Sequence, residues 1–536
     1  MEKYANGITR RAFSAGAAGL TVLACAPMAA LAAEAQAPRA PVADAAAQDG
    51  YAAEYSCDVV VAGSGGCGTA AACRCAQLGL KTIVVEQSGF TGGTSRCTEG
   101  LFAVETHLQE EDGIDLTADE CFSLSMDFNH WEADASLNKD LFSTSAANFD
   151  WLEGLGIGFK YAIPNSHSLP TWHVYETDGS GVPGALYMDT FMQAAVDAGA
   201  EVLLSTSAQE LVMEDGAVAG LVCSTEEGPV RVNSPVVILA TGGYSNNAEM
   251  MRTYAGIDPE RVIVAGLGQR NGEGIAMGLA AGGQMCSHPG TAMYYGGQPE
   301  GAAFGTALWA AFAASPILWI NEKGERFTTE EFAATNFSYA GNALKGQRDV
   351  FAVINEAIVE HMTTEGVYND MGEYYKLDDA LPTLRDEIEQ QMADNPENIW
   401  RAETPEDIAA VIGVDPATVA AMLEEYNGFC VSGKDEAFGK PADWLVPVEG
   451  GPYYVYRLKI GMFTTCGVFK VNTDCAVVDQ EGNPISGLYA GGCDAGGLYG
   501  ATYDVSICTG SAQGWAVHSG KRAAESAAAY LGSKAE

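Results

Sequence analysis

The sequence predicts an α/β fold built on a parallel sheet, and three observations predict it. Asp58-Val59-Val60-Val61-Ala62 is a short apolar run rich in β-branched residues, the pattern of a strand buried on both faces. Gly63-Ser64-Gly65-Gly66-Cys67-Gly68 follows at once and opens an Ala-rich stretch from Thr69 to Leu78 that reads as a helix. Lys81-Thr82-Ile83-Val84-Val85 then reads as a second strand, ending on Glu86.

Strand, glycine turn, helix, strand and acid, in that order, make a Rossmann-like dinucleotide-binding unit. Gly63 permits the tight turn, Gly65 and Gly66 let backbone approach a pyrophosphate, and Gly68 lets helix and strand pack closely. The helix N-terminus stabilises the phosphates. Glu86 is placed to accept from adenosine ribose hydroxyls, with Gln87 beside it.

Downstream motifs identify the dinucleotide. Thr91-Gly92-Gly93-Thr94-Ser95 and Glu99-Gly100 follow the second strand, and Val236-Val237-Ile238-Leu239 leads into Ala240-Thr241-Gly242-Gly243-Tyr244. Gly272-Glu273-Gly274 and Gly487-Leu488-Tyr489-Ala490-Gly491 come after. With these residues in this order, the chain from about Ser56 to Tyr530 resembles the fumarate reductase and 3-ketosteroid dehydrogenase flavoproteins. The resemblance implies FAD, a discontinuous Rossmann-like FAD-binding domain and an inserted α+β capping domain. It places Gly92, Gly93, Thr94, Ser95, Gly100, Thr241, Gly242, Gly243 and Glu273 at the cofactor. Cys493 stands where relatives carry an acid or amide near the ribityl chain, and Asp494 is adjacent. Ser506 to Cys508 are expected to open the last helix, bringing Ser506 and Ile507 to the flavin.

The expected divisions are a twin-arginine signal segment (1–33), a linker (34–55), the first FAD-binding part (56–287), the cap (288–446) and the second FAD-binding part (447–536). Within the cap, Ile317 to Asn321 and Val350 to Val353 read as strands. Thr404-Pro405 and Asp415-Pro416 read as helix starts, with the Thr or Asp as cap and Pro in the first turn. Substrate is expected between cap and flavin, because such sites favour domain interfaces.

The fumarate-type clamp is missing. Alignment puts Ala334, Ala310 and Ala313 where the resemblance calls for proton-relay residues, and Thr464 and Tyr503 where it calls for a histidine and a carboxylate-binding arginine. Only His288 is retained; it either contacts substrate or holds the cap hinge. Gly500-Ala501-Thr502-Tyr503 parallels the ketosteroid branch, in which a tyrosine hydroxyl binds a carbonyl oxygen. Tyr503, His288 and Tyr295 are therefore the candidate catalytic residues. Tyr294, Trp309, Phe312 and Phe332 are candidates for an aromatic pocket face suited to a flatter, less charged substrate than a dicarboxylate.

With 28 basic and 70 acidic residues, the net charge of −42 argues against nucleic acid, whose binders are basic. It fits a solvated surface, or docking of a basic electron-transfer partner. Thr9-Arg10-Arg11-Ala12-Phe13 and the following Ala-rich run read as a twin-arginine export signal, cleaved at Ala30-Leu31-Ala32 or lipidated at Cys25. The 14 cysteines show neither haem-attachment nor zinc spacing, so no metal site and mostly free thiols are expected. One dinucleotide turn and no haem motif point to electrons from a separate protein, of the cytochrome or membrane quinol oxidase type.

Three activities fit these residues. The first is an exported reductase of the C=C bond in a small unsaturated acceptor other than fumarate. The second is a ketosteroid-type dehydrogenase that introduces a C=C next to a carbonyl. The third is a silent flavin-bearing binding or electron-transfer protein.

Overall fold

A computed structural model describes residues 50–164, 168–179 and 183–535. The expected export signal and Cys25 lie outside the described residues.

The predicted strands form the centre of a six-stranded sheet. Its order is Ala476–Val478, Pro484–Ala490, Val237–Leu239, Val59–Ala62, Thr82–Val85, Glu201–Leu203. The last five strands run parallel, and Ala476–Val478 is an antiparallel edge. Val59, Val60, Val61 and Ala62 have no exposed surface, as expected of a strand covered on both faces. The helix Gly66–Gln77 covers one face and packs on the C-terminal helix Ser511–Ala535. Small residues permit that approach: a Cβ at Gly520 would stand 2.2 Å from the Cys67 carbonyl oxygen. Cys73 and Cys75 are fully buried in this layer and act as small apolar residues.

A second sheet carries the cap. The 14-residue strand Tyr453–Cys466 is its spine. It pairs with Val262–Val264, Thr291–Pro299, Val350–Asn355 and Ile399–Ala402, and Leu318–Asn321 adds to Val350–Asn355. Tyr453–Cys466 lies in sequence on the FAD-binding side of the boundary expected at 446/447, yet it pairs with three strands of the cap, and Val262–Val264 joins the sheet through it. Ala53–Ser56, expected as the end of a linker, pairs parallel with Gly228–Asn233 at the edge of a four-stranded sheet. The cap helices begin as their residues require. Thr404 and Asp407 form a reciprocal cap ahead of Pro405–Ile412, and Asp415 caps Pro416–Ser432.

Arg326 belongs to the cap's buried scaffold. Its guanidinium bonds Glu330 at 2.8 Å and Asp435 at 2.9 Å, and Lys440 sits 3.2 Å from Glu330. All four side chains are 5% exposed or less, so each charge depends on the others for compensation.

Candidate active site

One long cavity, with a volume of about 280 Å³, follows the C-terminal edge of the parallel sheet and continues under the cap. Gly63, Ser64, Gly65, Gly66, Glu86, Gln87, Gly93, Thr94, Ser95, Gly100, Thr241, Gly242, Glu273 and Cys493 line it, together with Tyr503.

The glycine turn is set by contact distances. Gly63 has φ +101°, and a Cβ there would stand 2.4 Å from the Ala240 carbonyl oxygen. A Cβ at Gly68 would stand 1.9 Å from the Gly63 carbonyl oxygen, so Gly68 supports the turn from behind the cavity wall. At the helix N-terminus the Gly66 N–H donates to Ser95 Oγ at 3.0 Å, and Ser95 Oγ donates to Gln513 Oε1 at 2.9 Å. This chain ties the first helix, the Gly92–Cys97 turn and the last helix around one space. Glu86 accepts from the Ser64 N–H (3.0 Å) and Oγ (2.6 Å), which aims its carboxylate at the turn. Gln87 Nε2 donates to the Gln269 carbonyl at 2.8 Å and joins the second strand's end to the Leu267–Glu273 segment.

Gly92 and Gly243 shape the walls behind the lining: both have positive φ, and a Cβ would meet Arg96 Cγ at 2.6 Å or Thr465 Oγ1 at 2.8 Å. Asp494 does not line the cavity. Its fully buried carboxylate accepts from the Thr241 N–H (2.6 Å), Thr241 Oγ1 (2.9 Å) and the Gly243 N–H (2.9 Å), so it fixes the Ala240–Gly243 turn. Burial raises its carboxyl against those hydrogen bonds.

Three expectations are corrected. The last helix begins at Ser511, not at Ser506. Asp504 accepts from the Cys508 N–H at 3.2 Å and closes a separate turn, and Gly510, at φ +84°, resets the chain direction. Ser506 accepts from Asn336 Nδ2 at 3.0 Å and Ile507 packs in a satellite apolar cluster, while Val505, Thr509, Gly510, Ala512 and Gln513 take the cavity positions. His288 lies off the cavity, with Nε2 3.2 Å from Glu132, which fits the hinge role. Tyr295 also faces away: its hydroxyl donates to the Ile263 carbonyl at 3.4 Å and its ring packs behind Phe304 and Phe463. Its neighbour Tyr294 lines the cavity, because successive residues of a strand point to opposite faces.

The cap end of the cavity is aromatic, but with a different set from the one expected. Trp172, Tyr294, Phe304, Phe337, Tyr374 and Phe463 line it; Trp309, Phe312 and Phe332 do not. Phe304 meets Trp309, Tyr374 and Phe463 with ring centroids 4.7, 5.1 and 5.3 Å apart, so Trp309 backs the wall. Arg270 is the one Lys or Arg among the described lining residues. Its guanidinium is held by the carbonyls of Phe463 (2.5 Å) and Ala265 (2.9 Å) and by Asn246 Oδ1 (3.2 Å). Burial lowers its pKa to about 10, which still leaves it charged at neutral pH.

Tyr503 and Glu99 also line the cavity. Tyr503 is 5% exposed, edge-on to Tyr499 at 5.1 Å, and burial pushes its hydroxyl pKa up, so it remains a proton-bearing donor. Glu99 was visible in sequence only as part of a turn motif. Its side chain opens to the cavity but is enclosed by protein, and the Tyr374 hydroxyl donates to its Oε1 at 2.5 Å. Burial lifts the Glu99 carboxyl to about 7; nearby Glu373 adds to the rise and the Tyr374 hydrogen bond opposes it.

The residues present fit FAD. A side-chain-free cradle at Gly63–Gly66 suits the pyrophosphate, Glu86 and Gln87 lie at the adenosine end, and the aromatic chamber lies at the other. Among the described residues no His, Cys, Asp and Glu cluster suits a metal ion, and no helix is long and apolar enough to cross a membrane.

Comparison with known proteins agrees. The chain is 36% identical over 485 residues to a vinyl phenol reductase of Lactiplantibacillus plantarum, covering 89% of this chain and 97% of that protein. A flavocytochrome c3 fumarate reductase in its open conformation superposes with a TM-score of 0.67 at 24% identity, over 89% of this chain and 78% of that one. The 3-ketosteroid-Δ4-(5α)-dehydrogenase of Rhodococcus jostii RHA1 gives 0.67 at 22% identity, over 88% and 97%. The family described as FAD binding domain matches residues 58–506. The chain therefore belongs to the FAD binding domain family, as a FAD-dependent oxidoreductase acting on C=C bonds.

Proposed function

We propose that this protein is an exported reductase of small, flat acceptors whose C=C bond is conjugated to an aromatic ring. The observation that carries this reading is the cap end of the cavity: six aromatic side chains, with the single arginine committed to backbone carbonyls and Asn246. A dicarboxylate would find no free guanidinium there, whereas a planar ring gains stacking and edge contacts. The name of the vinyl phenol reductase relative supports an aryl alkene.

FAD, when bound, supplies the hydride. The chain's own residues do the rest. Phe304, Phe337 and Phe463 exclude water and limit the acceptor to a flat shape. Tyr503 keeps its proton at neutral pH and donates it, or a hydrogen bond, to the acceptor. The polar positions of the cradle orient the cofactor at the opposite end.

Export rests on the twin-arginine pattern at Thr9 to Phe13. Recovery of flavoprotein outside the cytoplasm, lost when Arg10 and Arg11 become lysine, is the expected result. A separate, basic electron donor rests on the charge of −42, and its transfer rate should fall as salt rises.

Substrate class is tested by anaerobic turnover with reduced methyl viologen as donor and product identification by mass. 4-Hydroxystyrene or a cinnamate should be reduced at the side-chain double bond, with fumarate a poor substrate. Fumarate turnover exceeding that of every aryl alkene would overturn the proposal.

A further inference from the structure

We propose that Glu99, with Tyr374 beside it, forms a recognition site for a phenolic hydroxyl on the acceptor. The assignment rests on the aryl-alkene reading above and narrows it to hydroxylated rings.

The geometry supplies its own precedent. Tyr374 presents a phenol to Glu99 and donates to Oε1 at 2.5 Å, so this carboxylate already binds a phenolic O–H inside the chamber. An ionised carboxylate accepts at about four lone-pair positions, of which Tyr374 and the Glu99 backbone N–H engage two. Glu99 opens to the cavity, Phe304 packs on Tyr374 beside it at 5.1 Å, and Trp172, Phe337 and Phe463 also line the space and offer planar contact. Glu373 adds negative charge nearby and bonds Tyr161 instead (3.0 Å). Burial leaves the remaining acceptor positions of this acid short of donors, and a hydroxyl on the ligand supplies one. A ring carrying a hydroxyl satisfies both the stacking walls and the acid; a ring carrying an ether satisfies only the walls.

Tyr503 lies on a different segment of the lining, so holding a ring hydroxyl at Glu99 leaves the Tyr503 hydroxyl unengaged by it. Orientation of this kind separates the residue that reads the ring from the residue that serves the double bond.

The test uses oxidised holoenzyme and two saturated ligands, 4-ethylphenol and its methyl ether, titrated against the flavin absorption band. The phenol should bind at least ~10-fold tighter than the ether, the worth of one hydrogen bond to a charged group. In Glu99→Leu, which removes the acceptor, the ratio should fall to near one. The wild-type comparison alone decides the hydroxyl preference, whatever the variant's stability. Equal binding of the two ligands by wild type would overturn the assignment while leaving the aryl-alkene reading intact. So would a ratio preserved in Glu99→Leu, because the hydroxyl would then be read elsewhere. If neither ligand perturbs the flavin, the aromatic reading fails and this assignment fails with it.

Discussion

The Tyr374 hydroxyl and the Glu99 carboxylate meet at 2.5 Å although 275 residues separate them, which pins the inserted cap to the FAD-binding part in the lining of the aromatic chamber. Burial, the largest influence, raises the Glu99 carboxyl to about 7, with Glu373 contributing and Tyr374 opposing; the Tyr175 ring also lies close. The acid therefore accepts hydrogen bonds above pH 7 and carries a proton below it. Affinity for 4-ethylphenol should weaken as pH falls from 8 to 6, and the same titration of Glu99→Gln should be flat. A wild-type affinity independent of pH would contradict this.

Tyr503 faces the cavity with its proton retained. Tyr503→Phe should lower the rate of acceptor reduction by about a hundredfold, within the range for loss of a general acid. Flavin content and its visible spectrum should stay unchanged. Full turnover in the variant would remove Tyr503 from the mechanism.

A Cβ at Gly68 would overlap the Gly63 carbonyl oxygen at 1.9 Å, and that oxygen is backbone, which cannot swing aside as a flexible side chain would. Gly68→Ala should therefore displace the glycine turn and leave protein that purifies largely without flavin. Gly89→Ala, where a Cβ meets nothing within 4 Å, is the matched control and should retain it. Equal flavin content in the two variants would contradict the role given to the turn.

Glu330 compensates both Arg326 and Lys440 in the interior of the cap. Glu330→Gln should cost about 3–5 kcal/mol of stability in chemical denaturation, the penalty for a buried charge left without its partner. A loss below 1 kcal/mol would show that water reaches the cluster.

How much of this was legible in the sequence depended on how local the cause was. Gly63, Gly65, Gly68 and Glu86 could be read because a glycine turn between two apolar strands has few other uses. The expected absence of a fumarate-type clamp likewise turns on local residue identity, at Tyr503 and Thr464. The aromatic wall was anticipated in character, but of its members only Tyr294 was named. Phe304, Phe337, Tyr374 and Phe463 come from separate segments, and no spacing relates them. Choosing between Tyr294 and Tyr295 required the register of Thr291–Pro299, which shifts between Met293 and Tyr294 and again before Gly296. Glu99 stood in plain view as part of a motif, but its environment is made by a cap residue that sequence cannot bring near. Ser506 and Ile507 were misplaced because Gly510 delays the last helix to Ser511.

Single-turnover reoxidation of the dithionite-reduced holoenzyme, followed anaerobically, tests the central claim most directly. A hydroxylated aryl alkene should return the flavin to its oxidised spectrum rapidly, and fumarate at the same concentration should leave it reduced. Rapid reoxidation by fumarate, with the aryl alkene inert, would contradict the account.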